Sequence, residues 1–122
     1  MNPKYRVAIL DDDDGVRQSL SSLVRSLGHD VCTFASAAAF LADTDCRPHC
    51  LITDIQMPGM SGDALQEILL SRGDNLPMIF MTAFPTDALR ARVMGRGGHA
   101  FLVKPVDGEA MSRCLAQALA SV

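Results

Sequence analysis

Tryptophan is absent from the 122 residues and tyrosine occurs once. No Ser/Thr-rich phosphate loop follows the first apolar run, so a flavin-carrying electron-transfer protein is a poor fit. A net positive charge is also missing. The net charge is −3 and the isoelectric point is near 5.4, whereas a binder of the phosphate backbone needs basic residues gathered on one face. No apolar stretch approaches the ~20 residues of a membrane span. The N-terminal stretch Met1–Arg6 has no apolar core of the kind a signal peptide needs. Repeats, low-complexity tracts and linkers are absent as well. The four cysteines, Cys32, Cys46, Cys50 and Cys114, are not spaced as a disulfide framework. Reduced thiols in a cytoplasm are the expectation.

What is present fits one domain spanning residues 1–122. Apolar residues make up 48% and charged residues 20%, the balance of a globular chain. A chain of this length buries about 65% of its unfolded surface, enough for a core. Short apolar runs alternate with helical patterns from end to end. The spacing predicts strands at Arg6–Leu10, Val31–Phe34, Cys50–Thr53, Pro77–Met81 and Ala100–Val103. These runs are nearly continuous rather than alternating, as in strands covered on both faces. Val16, Leu20, Leu23, Val24 and Leu27 keep a helical period, and Gly28 suits the stop. Ser36, Ser61 and Asp107 are N-cap candidates for the second, third and fifth helices. A fourth helix is predicted to begin near Pro85, a residue that suits a first helical turn.

Fivefold β-α alternation predicts an α/β fold with a doubly wound parallel sheet. The flavodoxin-like strand order 2-1-3-4-5 suits five units. Its ligand crevice lies beyond the carboxyl ends of strands 1 and 3. Asp11, Asp12 and Asp54 fall there, and Thr82 and Lys104 end the two strands alongside. Three carboxylates crowded together repel one another, and a divalent cation relieves that. Oxygen donors without nearby Cys or His favour Mg²⁺, or Mn²⁺, over zinc. An ammonium and a hydroxyl beside them complete a set suited to phosphoryl transfer.

Four segments now appear in order: the acidic pair Asp11-Asp12, Asp54-Ile-Gln-Met-Pro-Gly-Met-Ser-Gly62, Thr82-Ala83, and Lys104-Pro105. With them the chain resembles the receiver domain of two-component response regulators over essentially its whole length. The resemblance implies that Asp54 takes a phosphoryl group from a phosphohistidine on a sensor histidine kinase or phosphotransfer protein. It implies Mg²⁺ ligation by Asp12, Asp54 and the Gln56 carbonyl, with Asp11 binding directly or through water. Lys104 would pair with the phosphoryl group, and Thr82 would move to meet it. Phe101 stands where the family has its rotating aromatic, and Lys104-Pro105 where a cis peptide is common. The resemblance further implies an output domain or downstream protein as partner, a phosphorylation-dependent homodimer, and a signalling rather than an enzymatic role. The stretch Thr53–Gly62 is most similar to regulators whose receiver precedes a helix-turn-helix output domain, hence transcription regulation. The chain stops just after the fifth helix, as a stand-alone receiver or the front of a longer regulator would. Gly98 replaces a usual Ala and Val106 a frequent Phe. Gly95, Gly97 and Gly98 are expected to loosen the stretch before strand 5.

Rival readings exist. Asp11–Asp14 as a mere solvated acidic run fits poorly after a buried strand; Asp13 and Asp14 suit the first turn of helix 1. Cys46, His49 and Cys50 lack the second half of a zinc site. Arg90, Arg92, Arg96 and Arg113 put positive charge on helices 4 and 5, as a solvated face or a partner surface. A haloacid-dehalogenase-type phosphatase with Asp12 as nucleophile matches Asp12-x-Asp14-x-Val16. That reading leaves Asp54 and its Met-Pro-Gly turn without a purpose.

Overall fold

In the computed structural model, which describes residues 4–122, five strands and five helices alternate strictly. Residues 1–3, where the predicted domain and the stretch without a signal-peptide core both begin, lie outside the described residues. The strands are β1 (Arg6–Leu10), β2 (Asp30–Phe34), β3 (Cys50–Asp54), β4 (Met78–Thr82) and β5 (Ala100–Val103). The helices are α1 (Asp14–Ser26), α2 (Ala37–Ala42), α3 (Gly62–Ser71), α4 (Asp87–Gly95) and α5 (Gly108–Ala120). Every paired strand is parallel, and the sheet order is β2-β1-β3-β4-β5. This is the doubly wound order anticipated from the alternation. Among the described residues, no helix is long and apolar enough to cross a membrane.

Successive strand residues face opposite sides of the sheet, so each central strand feeds two cores. Ala8, Leu10, Leu51 and Phe80 join Phe40 of α2, Leu65 and Leu69 of α3 and Val93 of α4 on one side. Val7, Ile9, Ile52, Ile79 and Met81 join Leu20 and Val24 of α1 and Met111 and Leu115 of α5 on the other. Burial on both faces is why β3 and β4 carry no alternation.

Side-chain caps fix the helix starts. Asp13, Ser36, Ser61, Thr86 and Asp107 each accept the N–H three residues on, contacts worth about 1 kcal/mol apiece. Asp13 is therefore the cap of α1, with Asp14 in its first turn. The fourth helix does begin near Pro85, but Pro85 is not in its first turn: the Thr86 hydroxyl accepts from Leu89 N–H at 3.1 Å and caps it, so Pro85 stays just outside the helix. Asp54 and Thr82 are the last residues of their strands rather than the first beyond them.

The stretch at Gly97 has a defined conformation. Gly97 adopts φ +99° and donates to Met94 O at 3.1 Å, while Gly98 N–H reaches Val93 O at 2.9 Å. These two bonds close α4 in a Schellman cap, and the positive φ is what glycine supplies. A side chain on Gly98 would also meet Val93 O.

A disulfide joins Cys32 and Cys46, against the expectation of four reduced thiols. Cys32 lies on β2, and the segment after α2 returns alongside it, which brings the two Cα atoms to 6.3 Å. Sequence spacing hid this pair because α2 separates its members. Cys50 and Cys114 are free thiols.

Candidate phosphoacceptor site

The carboxyl ends of β1, β3, β4 and β5 deliver Asp11, Asp54, Thr82 and Lys104 to one edge of the sheet. Asp11 is fully buried. Its Oδ1 accepts from Asp13 N–H at 2.9 Å and its Oδ2 from Lys104 Nζ at 2.7 Å. Asp54 is 5% exposed, and its Oδ2 accepts from the same ammonium at 3.1 Å. Asp12 is exposed. Carboxylate oxygens from Asp11, Asp12 and Asp54 lie within 4.8 Å of one another, the one such metal-competent group among the described residues. The Lys104–Pro105 peptide is cis.

Charge at this edge is unbalanced. Burial raises the Asp54 pKa above its ordinary 3.8, and the negative charges of Asp11 and Asp12 add to that, while Lys104 opposes it. Burial alone would lower the Lys104 pKa, but its hydrogen bonds to Asp11 and Asp54 prevail and raise it. One ammonium thus pairs with two members of a three-carboxylate cluster. The donors are all hard oxygens, so the set fits a Mg²⁺-like cation and not a thiol-seeking metal.

Thr82 is fully buried. Its hydroxyl donates to Gln56 Oε1 at 2.6 Å and accepts from Phe84 N–H at 3.0 Å. The hydroxyl thus engages Gln56 rather than Asp54. Sequence reasoning gave Gln56 only a main-chain part; its side-chain contact had no signal beyond a polar residue two places after Asp54. Phe101 is 8% exposed, packed in the core layer with Phe80 and Val93, and the Arg90 guanidinium lies 5.0 Å from its ring centroid. Arg92 and Arg96 pair with Asp63 and Glu67 of α3 at 2.9 and 3.0 Å. Those two arginines therefore tie α4 to α3.

The rival zinc ligands are otherwise engaged. Cys46 is in the disulfide, and His49 Nδ1 accepts from Arg6 N–H. Burial pushes the Cys50 thiol up to about 12.

The profile of the response regulator receiver domain matches residues 7–116. The transcriptional regulatory protein TdiR of Thauera aromatica is 38% identical over 115 residues, covering 93% of this chain and 51% of TdiR. The transcriptional regulatory protein FixJ of Azorhizobium caulinodans is 42% identical over 106 residues, covering 86% of this chain and 50% of FixJ. The chain thus spans about half the length of these curated relatives. Among solved structures, FixJ-N superposes with a TM-score of 0.87 at 32% identity, covering 100% of this chain and 98% of that one. Response regulator StyR gives 0.86 at 38% identity, covering 95% of this chain and 60% of that one.

Proposed function

This chain belongs to the response regulator receiver domains, and we propose that within it Asp54 accepts a phosphoryl group and so switches the domain's surface. The observation that carries the reading is the position of Asp54. It ends the central strand, shares one ammonium with Asp11, and sits in a carboxylate cluster at the open edge of the sheet. In the transfer, an Asp54 carboxylate oxygen attacks phosphorus. The new O–P bond forms as the N–P bond to the donor imidazole breaks, and the imidazole leaves with that electron pair. Lys104 holds positive charge against a phosphoryl oxygen.

Asp12, Asp54 and the Gln56 carbonyl would hold Mg²⁺. Asp11, both of whose oxygens already accept hydrogen bonds, would do so through water. When bound, the cation supplies charge neutralisation to the carboxylates and to the transferring group.

The product carries about −1.5 to −2 charges where a carboxylate carried one. Thr82 and Lys104 are the donors placed to meet them, and Phe101 follows Thr82 to reshape α4, β5 and α5. An output domain, a downstream protein or a second receiver would read that surface. The phosphodonor is a sensor histidine kinase or phosphotransfer protein, and the domain works as a switch rather than an enzyme. The fold and the match over residues 7–116 give the phosphatase reading no support.

The test is incubation with a small acyl phosphate and Mg²⁺. One alkali-labile phosphoryl group should appear, and Asp54→Asn should abolish it. Wild-type labelling of that variant overturns the assignment.

A further inference from the structure

Thr82 has a single hydroxyl proton, and the structure shows where it goes. It is directed at Gln56 Oε1, 2.6 Å away, while the oxygen accepts the Phe84 N–H. A threonine hydroxyl offers one donor and two acceptor sites. Any phosphoryl oxygen on Asp54 that takes a hydrogen bond from Thr82 therefore competes with Gln56 for the same proton. Gln56 is exposed at the turn beyond β3, whereas Thr82 is fully buried at the end of β4. The latch thus joins an accessible, replaceable side chain to one that the fold holds in place.

We propose that the Gln56 side chain is a positioning residue of the switch: its amide oxygen holds the Thr82 hydroxyl in the unphosphorylated arrangement and sets how readily the domain turns over to the phosphorylated one. This rests on the role given to Thr82 above. It is separate from any part the Gln56 main chain plays toward a cation, because substitution keeps the carbonyl. The latch acts by differential stabilisation. It strengthens the arrangement in which Thr82 donates sideways and vanishes in the one in which Thr82 donates to the phosphoryl group. A neutral hydrogen bond of this kind corresponds to a factor of about 5 in an equilibrium constant. A charged acceptor in the same place would hold the hydroxyl more strongly.

The test uses beryllofluoride with Mg²⁺ as the phosphoryl mimic and reads amide chemical shifts of Thr82 and Phe84. Gln56→Leu removes the acceptor and should lower the beryllofluoride half-saturation about 5-fold. It should also move the Thr82 and Phe84 amides toward their bound positions before any mimic is added. Gln56→Glu should shift both readouts the opposite way. The decisive arm repeats the Leu substitution in a Thr82→Ala background, where no hydroxyl remains to be held. There the 5-fold gain should disappear, as a double-mutant cycle requires of a direct coupling. An equal gain in the Thr82→Ala background, or none in the parent, overturns the latch while leaving Asp54 as phosphoacceptor. A parent protein whose Asp54 takes no beryllofluoride overturns both readings.

Discussion

Lys104 sits closer to Asp11 than to Asp54, with Nζ at 2.7 Å from one carboxylate and 3.1 Å from the other. Asp11 therefore holds the ammonium more closely, and Asp54 is left with the longer contact. Asp54→Asn should keep Lys104 in place through Asp11 and remove one like charge. The sign with pH follows from the raised Asp54 pKa, which burial causes first and neighbouring carboxylates second. A group whose folded pKa lies above its unfolded one contributes stability that is complete below the unfolded value of 3.8. That contribution is lost as pH rises through the folded value. At pH 7 without divalent cations, Asp54→Asn should melt above the parent, because the substitution removes a buried like charge. The gap should close below about pH 4. Thermal melts across pH in a chelator provide the check.

The cation prediction concerns Asp12, the exposed member of the cluster. Mg²⁺ at ten times its dissociation constant should stabilise the parent by about 1.4 kcal/mol. Asp12→Ala should lose most of that response and the Mg²⁺-dependent labelling of Asp54. In a chelator it should melt at or above the parent temperature, because it relieves repulsion. An unchanged Mg²⁺ titration of the melting temperature in this variant would show that the cluster is not the site.

Much of this was legible because the carboxyl ends of buried strands carry chemistry that such strands otherwise exclude. Asp54 and Lys104 each end an apolar run, and the parallel order places them together. The caps at Ser36, Ser61 and Asp107 were legible for the same local reason. Other features depend on which side chain wins a contact. Thr86 out-competes Pro85 as the start of α4 because its hydroxyl reaches Leu89 N–H. Gln56 meets Thr82, 26 residues away, across the gap between β3 and β4. Arg92 and Arg96 found partners on α3, which a helical charge pattern does not reveal. Cys32 and Cys46 meet only because the segment after α2 returns to β2.

The cysteines make a direct chemical prediction. Alkylation of the denatured, unreduced protein should modify two thiols, Cys50 and Cys114, with all four reacting after reduction. In the native state only Cys114 should react, since Cys50 is fully buried and its thiol is pushed up to about 12. The Cys32–Cys46 bridge closes a loop spanning 14 positions, a length for which a disulfide contributes about 3 kcal/mol. Reduction should then lower the melting temperature by roughly 10 °C. Four reactive thiols without reductant would show that the bridge does not form in solution.

Gly62 supports Asp54 from behind. It opens α3 directly after the Ser61 cap, and its N–H donates to Ile55 O at 2.9 Å. A Cβ there would lie 2.6 Å from the Asp54 carbonyl oxygen and 3.1 Å from the Ile55 Cα. Both obstacles are main chain, so no side-chain rotation relieves them. The same carbonyl accepts the Thr53 hydroxyl at 2.9 Å, which further limits where it can retreat. Gly62→Ala should therefore either push α3 away from the sheet or shift the main chain under Asp54. Overpacking of this kind costs about 1–3 kcal/mol. A shift of the acceptor should also slow acyl-phosphate labelling, because reactivity depends on the oxygen's alignment with phosphorus. Ser61→Ala separates the two effects: it loses the cap, about 1 kcal/mol, and a hydrogen bond to Asp63, and should label Asp54 at the parent rate. If Gly62→Ala melts and labels like the parent, the close packing of α3 against β3 is not what positions Asp54.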